Sequence, residues 1–190
     1  DAGEQLSILA GTIARLDRKA PEYGRGNYND FNTFYLQAAS GTSGGSSGSP
    51  VVNIEGQVVA LNAGANNSAA SSFFLPLDRI ERVLHELQNG NPVTRGTLQT
   101  TFTSEPYDEL RRLGLTDESE RIAREANPGQ TGMLTIEQVI PESPAFEVLA
   151  PGDILIRING KLVTQFVPLE AILDSHVGEE IEIQVERGGR

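Results

Sequence analysis

A run of small residues is the part of this sequence best suited to chemistry. Residues 40–49 are all glycine, serine or threonine, and they lead into Pro50 and the aliphatic pair Val51-Val52. By composition alone such a run is a flexible linker. Its place between two predicted strands argues against a linker, because a glycine-rich connection there lets successive N–H groups converge on one point.

Three kinds of chemistry use glycine-rich loops. A phosphate-binding loop needs a lysine followed by serine or threonine and then a helix, and this run has neither the lysine nor the helix. The pattern G-x-S-x-G matches around Ser43 and Ser46, but it requires a helix directly after the serine, whereas Pro50 begins a predicted strand. The third kind is a serine nucleophile that follows a glycine-containing turn, after which the chain returns into a β-barrel.

The flanks of the run carry a family resemblance. Residues 45–50, with 37–39 before them and 51–62 after them, resemble the nucleophile region of HtrA/DegP-type serine proteases. The resemblance covers essentially the whole chain and is greatest to the large fungal nuclear members described as pro-apoptotic. It implies that Ser47 is the nucleophile and that backbone N–H groups of Gly45 and Ser47, with Ser46 between them, form the oxyanion hole.

The same resemblance implies a substrate pocket beside the loop. Its walls would be Gly41 and Thr42 before the nucleophile, and Asn62, Ala63 and Gly64 on the strand after the hairpin. None of these residues is charged. We therefore expect a preference for an uncharged, small to medium residue before the scissile bond.

A serine hydroxyl is a weak nucleophile that needs an imidazole oriented by a carboxylate. The two histidines are His85, on a predicted helix, and His176, and neither precedes Ser47 as the base of this fold does. We therefore expect the C-terminal part of a serine endopeptidase domain without its triad histidine and aspartate, in which turnover by the chain alone is absent or feeble. The alternative is a non-catalytic peptide-binding module in which the barrel is a scaffold.

The second half of the chain resembles a PDZ domain of the HtrA type. The resemblance rests on residues 141–145, on the Gly152-Asp153 turn, on the alternating strand 154–158 and on the Asn159-Gly160 hairpin turn. It implies that an extended peptide binds as an added strand. The implied peptide-binding residues lie in a loop and strand (Thr97, Leu98, Gln99, Thr100 and Phe102) and on a helix (Leu169, Ile172 and Leu173). Gln99 stands where the family usually has glycine or another small residue, which argues against capture of a C-terminal carboxylate.

Periodicity and turn residues predict a mostly β chain with an α+β module. The first half is predicted to have strands at 6–16, 34–38 and 72–75, a hairpin of 51–54 and 57–61 turned at Glu55-Gly56, and a helix from Pro76 to Leu87. The second half is predicted to have helices at 106–113 and 168–175 and strands at 133–136, 154–158 and 181–185. The expected domains are an incomplete C-terminal trypsin-like barrel at 1–88, a linker at 89–95 and the PDZ domain at 96–190.

Composition and charge limit the classes of partner that the chain is expected to bind. The chain has no cysteine and a net charge of −11, with 9 basic and 17 acidic residues after residue 90. The charge and the lack of a basic cluster argue against nucleic acid, and no apolar run is long enough for a bilayer. Protein or peptide substrates are expected, with no metal or other cofactor. The acidic segment 117–120, with Arg121 and Arg124 following, is predicted to form a solvated helix start with charge pairing. Self-association is expected through apolar surface that an incomplete barrel exposes, and the resemblance implies a nuclear or cytoplasmic location.

Overall fold

The computed structural model describes residues 8–19, 30–42, 44–66 and 71–190. The chain divides into two compact units, Asp1–Pro92 and Val93–Arg190. The division falls inside the segment 89–95 that was predicted as a linker. The second part of that segment belongs to the second unit, because the Thr94 hydroxyl donates to the carbonyl oxygen of Asp174 at 2.7 Å.

The first unit contains a five-stranded antiparallel sheet in the order β1-β2-β5-β4-β3. Its strands are β1 (Ile13–Lys19), β2 (Phe34–Ala39), β3 (Pro50–Val52), β4 (Val58–Asn66) and β5 (Ser71–Pro76). The prediction of a strand at 6–16 is wrong in its bounds, because the observed strand β1 begins at Ile13 and extends to Lys19. Pairing decides this, since Lys19 lies opposite Phe34 at the start of β2. Residues 6 and 7 lie outside the described residues.

The hairpin of β3 and β4 forms where it was predicted, but its turn is larger. Gly56 N donates to Asn53 O at 3.0 Å, and Gly56 has a φ of 77°. This is a three-residue hairpin loop whose last residue is left-handed, the conformation that favours glycine. Ile54, predicted to end the first strand, lies in the loop and is 99% exposed. The Asn53 side chain holds the loop, because its Oδ1 accepts from the backbone N–H groups of Glu55 and Gln57.

One helix, α1 (Leu77–Gln88), follows β5 directly. It begins after Pro76 as predicted, and Gly90 follows its end with a φ of 72°. Its predicted apolar face is only partly covered in the described structure. Leu77 and Ile80 are half-buried, whereas Leu84 and Leu87 are 51% and 61% exposed.

The second unit is built on a sheet in the order β10-β8-β7-β6, with the short strand β9 paired to β8. Its elements are β6 (Thr100–Pro106), α2 (Tyr107–Leu113), α3 (Asp117–Ala126), β7 (Gly132–Val139), β8 (Ile154–Ile158), β9 (Lys161–Leu162), α4 (Phe166–Ser175) and β10 (Ile183–Glu186). The turn between β8 and β9 is Asn159-Gly160, with φ values of 48° and 74°. Helix α4 begins two residues before the predicted Pro168, and β10 begins two residues after the predicted Ile181.

The core of the second unit lies between its sheet and the helices α2 and α3. The buried apolar residues of this core are Tyr107, Leu110, Leu115, Ala123, Met133, Ile154 and Ile156, with Leu162 packed against them. Four of them, Leu110, Ala123, Met133 and Ile154, are 0% exposed. Burial of this apolar area is the main favourable term in folding such a domain.

The acidic start of α3 has the predicted charge pairs, Glu118 with Arg121 and Glu120 with Arg124, but it is not wholly solvated as predicted. The side chain of Glu120 is only 9% exposed and accepts two hydrogen bonds from Arg111, at 2.7 and 2.6 Å, and one from Arg124 at 2.8 Å. The bond from Arg111 is the largest cause that lowers the pKa of Glu120. Arg124 also lies over the Tyr107 ring, 3.9 Å from its centroid, and burial raises the pKa of that tyrosine.

Two further carboxylates, those of Glu186 and Asp153, connect the C-terminal segment of the chain to the rest of the unit. Glu186 accepts from the Thr116 backbone N–H and hydroxyl, both at 2.9 Å, and from the Ser119 hydroxyl, and so neutralises the N-terminus of α3. Asp153, which is 1% exposed, accepts from Arg187 at 2.6 and 2.7 Å. These pairs hold the last strand against the rest of the unit.

Candidate functional site

The serine loop forms a defined turn between β2 and β3. Ser49 N donates to Ser46 O at 3.1 Å, and Gly48, the third residue of the turn, has a φ of 82°. This geometry is a type II β-turn, which requires a left-handed third residue. Gly45 is also left-handed, with a φ of 92°. Ser47 occupies the second position of the turn and is exposed, so its hydroxyl is carried on a corner whose backbone is fixed on both sides.

Asn62 on β4 fastens this turn to the sheet. Its side-chain Nδ2 donates to Ser46 O at 3.0 Å and to Thr42 Oγ1 at 3.1 Å. Its backbone O accepts from Gly48 N at 2.7 Å, and its backbone N donates to Ser49 O at 2.9 Å. A hydrogen bond of 2.9 Å joins the hydroxyls of Thr42 and Ser46. One asparagine therefore holds both ends of the turn that presents Ser47.

Asn62 is buried, whereas a residue that lines an open substrate pocket is exposed to solvent. The residue is 7% exposed, and its Oδ1 is buried without a hydrogen-bond partner among the described residues. Of the other predicted pocket residues, Gly41 is exposed, and Ala63 and Gly64 are half-buried on β4. The structure thus brings Thr42 and Asn62 together at the turn. The anchoring role of Asn62 was missed from the sequence, where the only signal is an amide in the interior of a mostly apolar strand.

Both histidines make hydrogen bonds to residues outside the serine loop. The Asn89 side chain donates its Nδ2 to the His85 ring, 3.2 Å from Nδ1, at the end of α1. In the second unit, His176 Nδ1 donates to Ile172 O at 2.7 Å. No hydrogen bond among the described residues joins either imidazole to Ser47.

The predicted peptide loop is attached to the C-terminal end of α4 by Asp174. Gly96 N donates to Asp174 Oδ1 at 2.8 Å, and Arg95 lies 3.4 Å from Asp174 Oδ2. A Cβ on Gly96 would lie 1.9 Å from the Leu173 carbonyl oxygen, so only glycine fits this approach. Asp174 was not identified from the sequence, since it contacts residues 78 to 80 positions earlier.

Gln99 occupies a position that favours glycine. Its φ is 54°, the left-handed conformation that an L side chain rarely adopts. Its backbone N donates to Thr97 Oγ1 at 2.9 Å, and its backbone O accepts from Ile140 N at 3.0 Å. Gln99, which stands where the family usually has a small residue, therefore has a left-handed backbone.

The remaining predicted peptide-site residues differ in exposure. Thr100, Phe102, Leu169 and Leu173 are 3%, 4%, 0% and 7% exposed, whereas Leu98 and Ile172 are half-buried. Among the described strands, β6 is the last of its sheet order and pairs with β7.

Within the described part of the chain, no group of three or more His, Asp or Glu side chains is arranged to hold a metal ion. No described helix is both long enough and apolar enough to cross a bilayer.

Comparisons with known proteins identify both halves of the chain. A family model for the trypsin-like peptidase domain matches residues 1–61, and one for the PDZ domain matches residues 135–187. The chain is 55% identical over 201 aligned residues to Protease Do-like 7 of Arabidopsis thaliana. It is 58% identical to the pro-apoptotic serine protease NMA111 of Ajellomyces capsulatus and 56% identical to that of Eremothecium gossypii. These alignments cover all of this chain and 18% to 19% of each relative, so the chain spans about a fifth of their length.

Solved structures show the same fold. The chain matches the HtrA-type protease AlgW with a decapeptide at a TM-score of 0.54 and with a tripeptide at 0.55, both at 20% identity. The matches cover 97% of this chain and 53% and 57% of those chains. The fold class expected from the sequence, a trypsin-like peptidase part followed by a PDZ domain, is confirmed. The chain is therefore a trypsin-like peptidase part followed by a PDZ domain, and over its whole length it is similar to these serine proteases.

Proposed function

We propose that this chain carries the nucleophile of a serine endopeptidase, Ser47, and a PDZ domain that binds extended peptides. The observation that carries the first half is the type II turn of residues 46–49, in which Ser47 is exposed and its backbone is fixed by Asn62. Preorganised N–H donors of Gly45 and Ser47 would stabilise the oxyanion of an acyl-transfer reaction. Fixing such donors in advance is what gives an oxyanion hole its effect.

The base has to come from outside this sequence. No histidine precedes Ser47, and both imidazoles have the other partners described above. The nucleophile of a triad depends on the imidazole that takes its proton. We therefore propose that the 190-residue chain has little or no turnover alone and that the complete protease supplies the histidine and the aspartate.

The experiment compares two serines of the same turn in the complete protease. Ser47→Ala is expected to lower kcat on a denatured protein substrate by at least about 10⁴-fold. Ser49→Ala is the matched comparison, because the turn uses only the backbone N and O of Ser49; a fall below about tenfold is expected. Equal losses in the two variants would reject Ser47 as the nucleophile.

A fluorophosphonate probe tests the second part. The 190-residue chain alone is expected to show no rapid labelling at Ser47, since no imidazole activates the hydroxyl. Stoichiometric labelling within minutes would show that the chain contains a base after all.

A peptide series tests the predicted uncharged pocket of Gly41, Thr42 and residues 62–64. Peptides with Lys, Val, Leu or Asp before the scissile bond are given to the complete protease, and a preference for Lys or Asp would contradict the prediction.

The second candidate function is a peptide-binding scaffold without catalysis. The observation that favours it is the position of β6 as the last described strand of its sheet, which is independent of Ser47. A complete protein that binds peptides but cleaves none of them, unmodified or as Ser47→Ala, would support this candidate. The nuclear or cytoplasmic location, the link to cell death and self-association through exposed apolar residues such as Leu84 and Leu87 remain part of the proposal; fluorescence imaging, a cell-viability assay and size-exclusion chromatography would test them.

A further inference from the structure

The direction of one peptide plane in the serine turn determines where an oxyanion donor points. The peptide bond between Ser46 and Ser47 is planar and trans, so its C=O and its N–H point in opposite directions. A group that fixes Ser46 O therefore also fixes the direction of the Ser47 N–H. That N–H is one of the two proposed oxyanion donors, and such a donor is effective when its direction is set before the reaction begins.

The side chain of Asn62 holds Ser46 O from strand β4. Its Nδ2 donates to Ser46 O at 3.0 Å, and the same oxygen accepts from Ser49 N at 3.1 Å within the turn. A carbonyl oxygen can only accept, so the atom of Asn62 that faces Ser46 O has to be the amide nitrogen. Nδ2 also donates to Thr42 Oγ1 at 3.1 Å, and that hydroxyl lies 2.9 Å from the Ser46 hydroxyl. The amide nitrogen of Asn62 therefore contacts Ser46 both directly and through Thr42.

The burial of Asn62 indicates a role in addition to stability. Its Oδ1 is buried without a hydrogen-bond partner among the described residues, and a buried acceptor of this kind lowers stability. The backbone of Asn62 already pairs with the turn, because Gly48 N donates to Asn62 O at 2.7 Å and Asn62 N donates to Ser49 O at 2.9 Å. The pairing of β4 with the turn therefore does not need the amide side chain. What the side chain adds is the position of Ser46 O.

We propose that Asn62 is a positioning residue of the protease, whose amide holds Ser46 O and thereby sets the direction in which the Ser47 N–H meets the oxyanion. This inference rests on the proposed function, since it requires Ser47 to be the nucleophile. It gives the Asn62 side chain a role other than lining the substrate pocket. Asn62 acts through Ser46 and does not touch the substrate.

The first test measures kcat and KM of the complete protease on a peptide substrate at pH 8. Asn62→Leu keeps the branched shape of the side chain and removes the donor. Oxyanion contacts form in the transition state, so kcat is expected to fall by about 10- to 100-fold while KM stays within about threefold. Asn53→Leu is the matched control, because the Asn53 side chain holds the hairpin loop at the other end of β3. It also loses hydrogen bonds, but its kcat should stay within about threefold of the unmodified value.

A second pair of variants tests the donor itself. In Asn62→Asp an ionised carboxylate cannot hold Ser46 O, whereas a protonated carboxyl can donate its O–H to that oxygen. Burial raises the pKa of a carboxyl group. The ratio of kcat in Asn62→Asp to kcat in the unmodified protease is therefore expected to rise by at least about threefold from pH 8 to pH 6, and taking the ratio cancels the titration of the catalytic base. In Asn53→Asp the ratio should stay constant, because Asn53 Oδ1 accepts from two backbone N–H groups and a carboxylate can do the same.

The outcomes separate this inference from the proposed function. If Ser47→Ala keeps its activity, Ser47 is not the nucleophile, and the proposed function and the inference both fail. If Ser47→Ala abolishes turnover but Asn62→Leu keeps kcat within about threefold, the function stands and the inference is overturned. A rise in KM with kcat unchanged in Asn62→Leu would show that the side chain is a pocket wall, and this also overturns the inference. If Asn62→Leu does not fold, Asn62→Asp decides, because a kcat ratio that is constant between pH 8 and pH 6 overturns the inference.

Discussion

Gly96 approaches the end of α4 more closely than any side chain would allow. A Cβ at this position would lie 1.9 Å from Leu173 O and 2.3 Å from the Leu173 carbonyl carbon. Non-bonded carbon contacts lie near 3.5 Å, so in Gly96→Ala the loop has to move by about 1.5 Å. A movement of this size takes the 2.8 Å bond from Gly96 N to Asp174 beyond hydrogen-bond range.

The cost follows from the bonds that are lost. The bond to the Asp174 carboxylate is worth about 1.5–3 kcal/mol, and that of the Thr94 hydroxyl to the Asp174 carbonyl about 0.5–1.5 kcal/mol. We therefore expect Gly96→Ala to lower the free energy of unfolding of the second unit by about 2–4 kcal/mol.

Urea unfolding followed by far-UV circular dichroism measures this, because three of the four described helices belong to the second unit. With a slope of about 1–3 kcal/mol/M, the midpoint should fall by about 1–3 M. Gly129→Ala is the matched control: a Cβ there meets nothing within 4 Å, and Gly129 has no left-handed backbone. Midpoints of the two variants that agree within error would refute the proposed close packing of the loop on α4.

Two further predictions concern stability. The bond from Arg111 lowers the pKa of Glu120 below 4.5, so the stability it provides is present above that pH and is lost as pH falls through the folded-state pKa. Glu120→Gln should therefore lower Tm at pH 7 and flatten its fall between pH 5 and pH 3, and an unchanged acid limb would contradict this. Gln99→Gly should raise the free energy of unfolding by about 0.5–1 kcal/mol in urea titrations, since glycine adopts a φ of 54° without steric cost. Gln138→Gly, within β7, should lower it, and a shared direction would argue against strain at Gln99.

Local sequence signals predicted most of the elements of both units. Asn159-Gly160 specified a two-residue turn because both residues tolerate left-handed backbone, and the strand of 154–158 before it has the predicted bounds. The glycines of the serine loop likewise indicated a tight turn, and Gly48 supplies its left-handed residue. Boundaries set by pairing were less accurate, as at β1, where the partner strand and not the apolar content of 6–16 decides the start.

The sequence by itself determined the two domain types, the candidate nucleophile and the conformation required at several turns, because these depend on neighbouring residues. Only the tertiary structure decided which polar groups hold the loops. Asn62 reaches Ser46 across 16 positions, and Asp174 reaches Gly96 across 78. Such contacts depend on strand register and on the end of a helix meeting a distant loop, and no local pattern encodes them. For the same reason, the attachment of residues 94–96 to the end of α4 became visible only in the folded domain.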